Sequence, residues 1–212
     1  HGATTRLGGY TPLHLAARAG SAPIVDALVT AGANVKATSS SGTTALMLAA
    51  ESGTLAAVQR LVTAGADVNA LEQAKGQSAL MFAAAFDRAD VVAFLLSKGA
   101  DHRLATKVVD LATLTAGDPP ARPGAAGGAP QIPGLTRQFR YNELIGTQGG
   151  LTALLFATRE GYTASATALL AGGADINQAN PGDGTTPLLM ALINGHFDLA
   201  MTYLAKGADV SR

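Results

Sequence analysis

Histidine takes up and releases a proton near neutral pH more readily than any other side chain, and this chain contains four histidines. His14 is the best placed of them, in the stretch Thr11-Pro12-Leu13-His14, with a hydroxyl group three residues before the ring. A catalytic base also needs a group that orients it and a nucleophile or substrate proton within reach. The sequence puts no acid and nucleophile beside His14, so it favours a structural role for this residue.

The other residues that could do chemistry lack the spacing of a known site. The histidines occupy four separate places without the paired spacing of a metal site: His1, His14, His102 and His196. We expect His102 to be exposed in a loop and His196 to pack between helices. An Asp- and Asn-rich stretch at 175–184 lacks the alternate ligand positions and closing Glu of a calcium loop, and turn chemistry explains it better. With no phosphate loop, nucleophile elbow or dinucleotide fingerprint either, we expect no metal, no cofactor and no enzymatic activity.

Composition and charge exclude further classes. The 212 residues are 48% hydrophobic and 14% charged, as in a folded chain with a large core. Fifteen basic residues balance fifteen acidic ones, which argues against nucleic acid as a partner. No uncharged apolar run reaches the length of a membrane span, so we expect a soluble protein without membrane insertion. The absence of cysteine decides nothing about the compartment, whereas abundant Ala, Gly and Thr favour a bacterial source, with a lean to the periplasm or exterior.

Two markers recur along the chain with one spacing. One is a leucine, and its occurrences are separated by 33, 34, 74 and 34 residues: Leu13, Leu46, Leu80, Leu154 and Leu188. The other is the glycine of a Gly-Ala pair with the same steps: Gly32, Gly65, Gly99, Gly173 and Gly207. A period of 33–34 residues indicates a repeat array, and the step of 74 is one period plus 40 inserted residues.

Each repeat contains the signals of two short helices. A hydroxyl residue suited to an N-cap comes two residues before each marker leucine, and Pro12 or its counterpart follows it: Thr11, Thr44, Ser78, Thr152 and Thr186. Small pairs such as Ala16-Ala17 allow close helix packing, and a glycine ends the first helix in four units. Asp87 replaces that glycine in the third unit. Apolar residues at helical spacing form a second helix, and Asp and Asn in "ADVNA" predict a turn before the next unit.

The chain resembles the ankyrin repeat family through Thr11-Pro12-Leu13-His14-Leu15-Ala16-Ala17 and through Gly65-Ala66-Asp67-Val68-Asn69. The resemblance covers about 1–106 and 147–212 as five units. It implies an all-α solenoid, a right-handed curved stack in which each unit is a helix-turn-helix with a β-hairpin loop. It also implies that His14 is a neutral, buried connector that bonds the motif threonine and a neighbouring unit's backbone.

The repeats and the inserted residues divide the chain into three segments. Residues 1–106 hold units one to three and 149–212 hold units four and five. Residues 107–148 are an insertion, which we expect on the hairpin side of the solenoid, and 15 of the 19 residues in 116–134 are Ala, Gly or Pro, which cannot build a core. The terminal units lack the polar outer face that caps such a stack. We therefore expect either a fragment of a longer array or ends covered by a partner.

The resemblance implies binding of another protein through the concave face. We predict that residues before each cap and at the end of each first helix contact the partner: Tyr10, Arg18, Thr43, Glu51, Ser52, Gln77, Phe86, Leu151, Arg159, Glu160, Thr185, Ile193 and Asn194. Phe86 and Leu151 serve either a partner or the docked insertion, in which Phe139, Arg140 and Tyr141 offer aromatic and guanidinium contacts. The function predicted is a non-enzymatic scaffold, and the alternative is a structural subunit that self-associates or enters a larger complex through its terminal units.

Overall fold

A computed structural model describes residues 8–111 and 147–211. Over these ranges the chain forms five successive helix pairs, here called units one to five, each with a first helix of seven or eight residues and a second of nine. The first helices are α1 Pro12–Arg18, α3 Ala45–Ser52, α5 Ala79–Ala85, α7 Ala153–Arg159 and α9 Pro187–Ile193. The second helices are α2 Ala22–Thr30, α4 Leu55–Thr63, α6 Ala89–Ser97, α8 Thr163–Ala171 and α10 Phe197–Ala205.

The first helices begin where the hydroxyl residues predict. The side chains of Thr44, Ser78, Thr152 and Thr186 each accept a hydrogen bond from the backbone N–H of the third helical residue. These bonds satisfy donors that the helix itself leaves free. At the other end, a residue in the left-handed conformation turns the chain into the second helix, and in unit three this residue is Asp87, at φ 54°. An aspartate therefore adopts the conformation that glycine adopts in the other units.

The helices stack in two layers. Each first helix from α1 to α7 packs against the next first helix, and α2, α4, α6 and α8 likewise pack in order. One apolar cluster runs between the layers from Leu13 in unit one to Tyr203 in unit five. Alanine pairs such as Ala49-Ala50 and Ala83-Ala84 are fully buried there, because small side chains let neighbouring helices approach closely. The observed architecture is an all-α solenoid, as predicted.

The hairpin loops between units form a third, polar edge of the stack. One buried polar side chain stands at the same position in each loop and accepts a hydrogen bond from a backbone N–H: Ser39, Glu72, Thr106 and Asn180. Neighbouring loops are also joined through their backbones, since Ser40 donates to Gly8, Gln73 to Ser41 and Lys107 to Lys75. These backbone bonds join the first three hairpins into one edge, and the Asn180 side chain of the fourth donates to the Gly149 carbonyl at 2.9 Å.

The described ends of the inserted segment pair with each other. Strand β1, Val109–Asp110, is antiparallel to β2, Thr147–Gln148. Next to them, Thr106 and Leu151 exchange bonds: the Thr106 N–H donates to the Leu151 carbonyl at 3.0 Å, and the Leu151 N–H donates to the Thr106 hydroxyl at 2.9 Å. The two flanks are thus held together at the third hairpin.

Candidate functional site

His14 is fully engaged inside the stack. Its Nδ1 accepts a hydrogen bond from the Thr11 N–H at 3.2 Å and lies 2.8 Å from the Thr11 hydroxyl oxygen. Because Nδ1 accepts, the ring proton is on Nε2, which donates to the Thr43 carbonyl of unit two at 3.0 Å. Burial lowers the pKa of His14 below its ordinary value, since the interior disfavours the charged ring. The ring therefore stays neutral at physiological pH and connects units one and two.

Other junctions between units have polar links of their own. The Arg88 guanidinium donates to the Glu51 carbonyl at 3.2 Å, joining unit three to unit two. At the equivalent place in unit five, Nε2 of His196 lies 2.9 Å from the Arg159 carbonyl oxygen. The His196 ring also packs closely on Gly161, because a Cβ added at Gly161 would lie 2.6 Å from the ring. Buried Thr158 and Tyr203 also bond through their hydroxyl groups.

Several predicted contact residues are exposed. Phe86, at the end of α5, exposes 44% of its surface, and Ile193, at the end of α9, exposes 68%. Arg18, Arg159, Glu160 and Asn194 are exposed as well, and Arg159 lies over the Phe156 ring while pairing with Glu160 at 2.8 Å. The remaining predicted residues, apart from the corrections below, are half-buried: Tyr10, Glu51, Ser52, Gln77 and Thr185. Tyr10 makes an edge contact with the His14 ring, at 5.7 Å between centroids.

Three expectations about exposure are corrected. Thr43 is buried, because its hydroxyl joins those of Ser39 and Ser41 inside the hairpin, so its side chain does not offer a contact to a partner. Leu151 is half-buried and packs on the apolar cluster. His102 is half-buried as well, and its Nδ1 is shielded from water without a hydrogen-bond partner. Thr43, Leu151 and His102 are therefore all less exposed than the sequence suggests. Phe139, Arg140 and Tyr141 lie outside the described residues.

Sequence reasoning missed an exposed leucine beside the predicted surface. Leu71 comes directly before Glu72, at the base of the second hairpin, and exposes 45% of its surface. The residues at the same repeat position in the other hairpins are smaller: Thr38, Ala105 and Ala179. A large apolar residue at a position that otherwise holds small residues was the sequence signal that could have identified Leu71.

The described residues contain no cluster of three or more His, Asp or Glu side chains that could hold a metal ion. None of the helices between 8 and 111 or between 147 and 211 has the length and apolar character needed to cross a bilayer. The buried histidine bonds only backbone and a cap residue.

Comparison with known families adds the deciding observation. A sequence model of ankyrin repeats in three copies matches residues 13–106, and a model of a single ankyrin repeat matches residues 149–181. The chain belongs to the ankyrin repeat family. Ankyrin repeats generally mediate protein–protein interaction and are typically not catalytic. No curated protein matched the chain. The fifth helix pair lies beyond the matched ranges, yet it has the same cap, helix lengths and closing glycine as the ankyrin units before it.

Proposed function

We propose that the chain is a non-enzymatic scaffold that binds another protein through its concave face, formed by the hairpin edge and the ends of the first helices, together with the insertion 107–148. The observation that carries this proposal is the exposure of two large apolar residues, Leu71 and Phe86. Leu71 lies in the hairpin before the buried helix α5, and Phe86 directly follows that helix. Large apolar groups held in the open by a rigid support are typical of contact surfaces.

The rigidity of this surface supports the same proposal. The hairpins are tied to one another through their backbones, and Glu72 holds the second hairpin by accepting three N–H groups, from Ala74, Lys75 and Gln77. A surface that is ordered before it binds loses little conformational entropy on binding. Side chains on this edge can therefore recognise a partner without refolding of the loops.

The insertion belongs to the proposed recognition surface because its flanks meet at the hairpin edge. Strands β1 and β2 emerge beside Lys107, whose backbone N–H bonds the preceding hairpin at Lys75. Val108 and Val109 are both exposed there. We propose that 107–148 contacts either the partner or the concave face itself, with Phe139, Arg140 and Tyr141 as its anchors.

Affinity capture from native extract, followed by mass spectrometry, tests the scaffold proposal when three versions of the chain are compared. We expect the wild type and a Thr167→Asp control, changed at an exposed residue of α8, to retain the same protein. We expect a Leu71→Asp, Phe86→Asp variant to lose it. Equal retention by all three chains would contradict the proposed surface, and retention of no protein by the wild type would contradict the scaffold function.

A second candidate function is favoured by one observation, the exposure of large apolar residues on unit five. Leu189, Leu192, Ile193, Phe197 and Met201 are all exposed there. We propose as the alternative that the chain is a structural subunit, which self-associates or is built into a larger complex through its terminal units. This candidate does not require the concave face.

A further inference from the structure

Unit three interrupts a row of side chains at the ends of the first helices. The row is formed by the seventh residue of each first helix: Arg18, Glu51, Ala85, Arg159 and Ile193. Four of these side chains are long or branched, whereas that of Ala85 ends at its Cβ. The next position shows the opposite pattern, because the large, exposed Phe86 stands where the other units have Ala19, Ser52, Glu160 and Asn194.

Unit four shows which contact the side chain at this position can make. The Arg159 guanidinium lies over the Phe156 ring, 5.2 Å from its centroid, and pairs with the Glu160 carboxylate at 2.8 Å. Phe156 is the fourth residue of α7 and Arg159 is the seventh. Only 6% of Phe156 is exposed. An arginine over an aromatic ring, with a carboxylate beside it, is therefore a contact that this chain already makes.

Unit three has the same ring without the cation. Phe82 is the fourth residue of α5, as Phe156 is of α7, but Ala85 stands at the position of Arg159. Within 8–111 and 147–211, no lysine or arginine lies over the Phe82 ring. Phe82 is half-buried, whereas Phe156 is buried. The Phe82 ring thus lacks the cover that Arg159 gives to Phe156.

A carboxylate stands next to Ala85 in the row. Glu51, the preceding member, is half-buried, and no basic side chain in the described part of the chain forms an ion pair with it. Its backbone carbonyl accepts the hydrogen bond from Arg88, which holds the end of α3 against unit three. Asp87 is committed to Ser165. Because Glu51 and Asp87 outnumber Arg88 at this edge, the local charge favours a cation.

We propose that Phe82, Ala85, Phe86 and Glu51 form a subsite for an arginine side chain of the protein partner. The guanidinium lies over Phe82 in the space that the small Ala85 leaves, pairs with Glu51 and borders the Phe86 ring. The last turn of α5 adds to the attraction, since free carbonyl groups give a helix end partial negative charge. This inference rests on the proposed scaffold function and specifies the chemistry of its partner.

Aromatic NMR signals of the intact chain test the subsite without the partner. The probes are N-acetylarginine amide and N-acetylcitrulline amide, which has nearly the same shape but no charge. We expect the arginine probe to shift the Phe82 and Phe86 ring signals in a saturable way. The citrulline probe should bind at least about tenfold more weakly, because both the ring contact and the ion pair require the charge. Equal binding of the two probes would overturn the proposal.

Ala85→Arg fills the subsite from within the chain, with the residue that unit four has at this position. We expect it to remove the response of Phe82 to the arginine probe and to leave the circular dichroism spectrum unchanged. Ala93→Arg, at an exposed residue of α6 in the same unit, is the matched control and should bind the probe as the wild type does. Glu51→Gln is a second variant, and it should weaken binding and reduce its dependence on salt. An undiminished response in both Ala85→Arg and Glu51→Gln would contradict the subsite.

The captured partner separates this inference from the scaffold function. Ala85→Arg should bind that partner at least about tenfold more weakly than Ala93→Arg does, because the subsite is occupied. A partner that binds both variants equally would overturn the subsite and leave the scaffold function standing. A wild type that retains no protein would contradict the scaffold function, and with it the partner assigned here.

Discussion

The Asp87 carboxylate accepts two hydrogen bonds from Ser165, one from its hydroxyl at 2.8 Å and one from its backbone N–H at 3.3 Å, across 78 residues of sequence. Ser165 is the third residue of α8, whose own N-cap residue, Tyr162, supplies no capping side chain. Asp87 therefore caps α8 from the preceding unit. The other four units have glycine at the position of Asp87. They have an apolar residue at the position of Ser165.

Asp87→Gly tests whether this pair stabilises the junction between units three and four. Glycine relieves the left-handed backbone conformation, which costs about 1 kcal/mol for a residue with a side chain. It also removes a charged acceptor and leaves the buried Ser165 hydroxyl unpaired, at about 1–3 kcal/mol. We expect a net loss of about 1 kcal/mol in the free energy of unfolding, measured in urea.

Ser165→Ala supplies the control for that measurement. Alanine is the residue that unit two has at this position, and Ala57 is fully buried there. In the Ser165→Ala background, Asp87→Gly should cost less than it does in the wild type, because no hydroxyl is left without its acceptor. Additive effects of the two substitutions would show that the pair is not energetically coupled.

Tyr203 gives the junction between units four and five a sensitivity to alkaline pH. Burial raises the pKa of Tyr203 to about 12, with the Thr158 hydrogen bond acting in the opposite direction. Because the pKa in the folded chain lies above the unfolded value of about 10, this residue's contribution is complete below pH 10 and is lost as pH rises towards 12. Tyr203→Leu, which installs the leucine of units one to four, should lessen the loss of stability between these pH values. An unchanged alkaline unfolding profile in Tyr203→Leu would contradict this assignment.

His14 should make the first junction sensitive to acid. Since burial lowers its pKa in the folded chain, the unfolded chain takes up a proton first as pH falls through the ordinary value of about 6.5. The contribution of neutral His14 is therefore present above that pH and decreases below it. His14→Met, with the residue that units two and three have at this position, should unfold with a weaker pH dependence between about pH 7.5 and 5.5. Equal slopes for the two proteins would show that His14 titrates alike in both states.

The core and the insertion should respond oppositely to change. Leu154→Asp puts a carboxylate at a position only 2% exposed, and we expect it to lower the free energy of unfolding by more than about 4 kcal/mol and to abolish cooperative unfolding.

Deletion of 116–134 should leave helicity and cooperative unfolding nearly intact, because the pairing of β1 with β2 and the Thr106–Leu151 bonds already join the flanks. Both are measured by circular dichroism during urea unfolding. Loss of folding in the deletion variant would show that the segment is part of the core.

The repeat itself could be predicted from sequence because its signals are local. Thr44 is followed by its helix within the same unit, and the leucine and glycine periods count the units directly. The links between units could not be predicted in this way. Asp87 and Ser165 become neighbours only when two units stack. Within one hairpin, the sequence also does not show that the Thr43 hydroxyl bonds Ser41. A search for paired departures from the repeat at one junction would have found the Asp87–Ser165 link.

The central claim, that a protein partner binds the concave face, is tested most directly by amide hydrogen exchange on the chain alone and with the captured partner. We predict that bound partner slows exchange in the hairpins at 38–43, 71–77 and 179–185 and at the end of α5, where Phe86 is exposed. The second helices α2, α4, α6 and α8 should exchange as they do in the free chain. Slowed exchange confined to those second helices, with the hairpins unchanged, would contradict the claim.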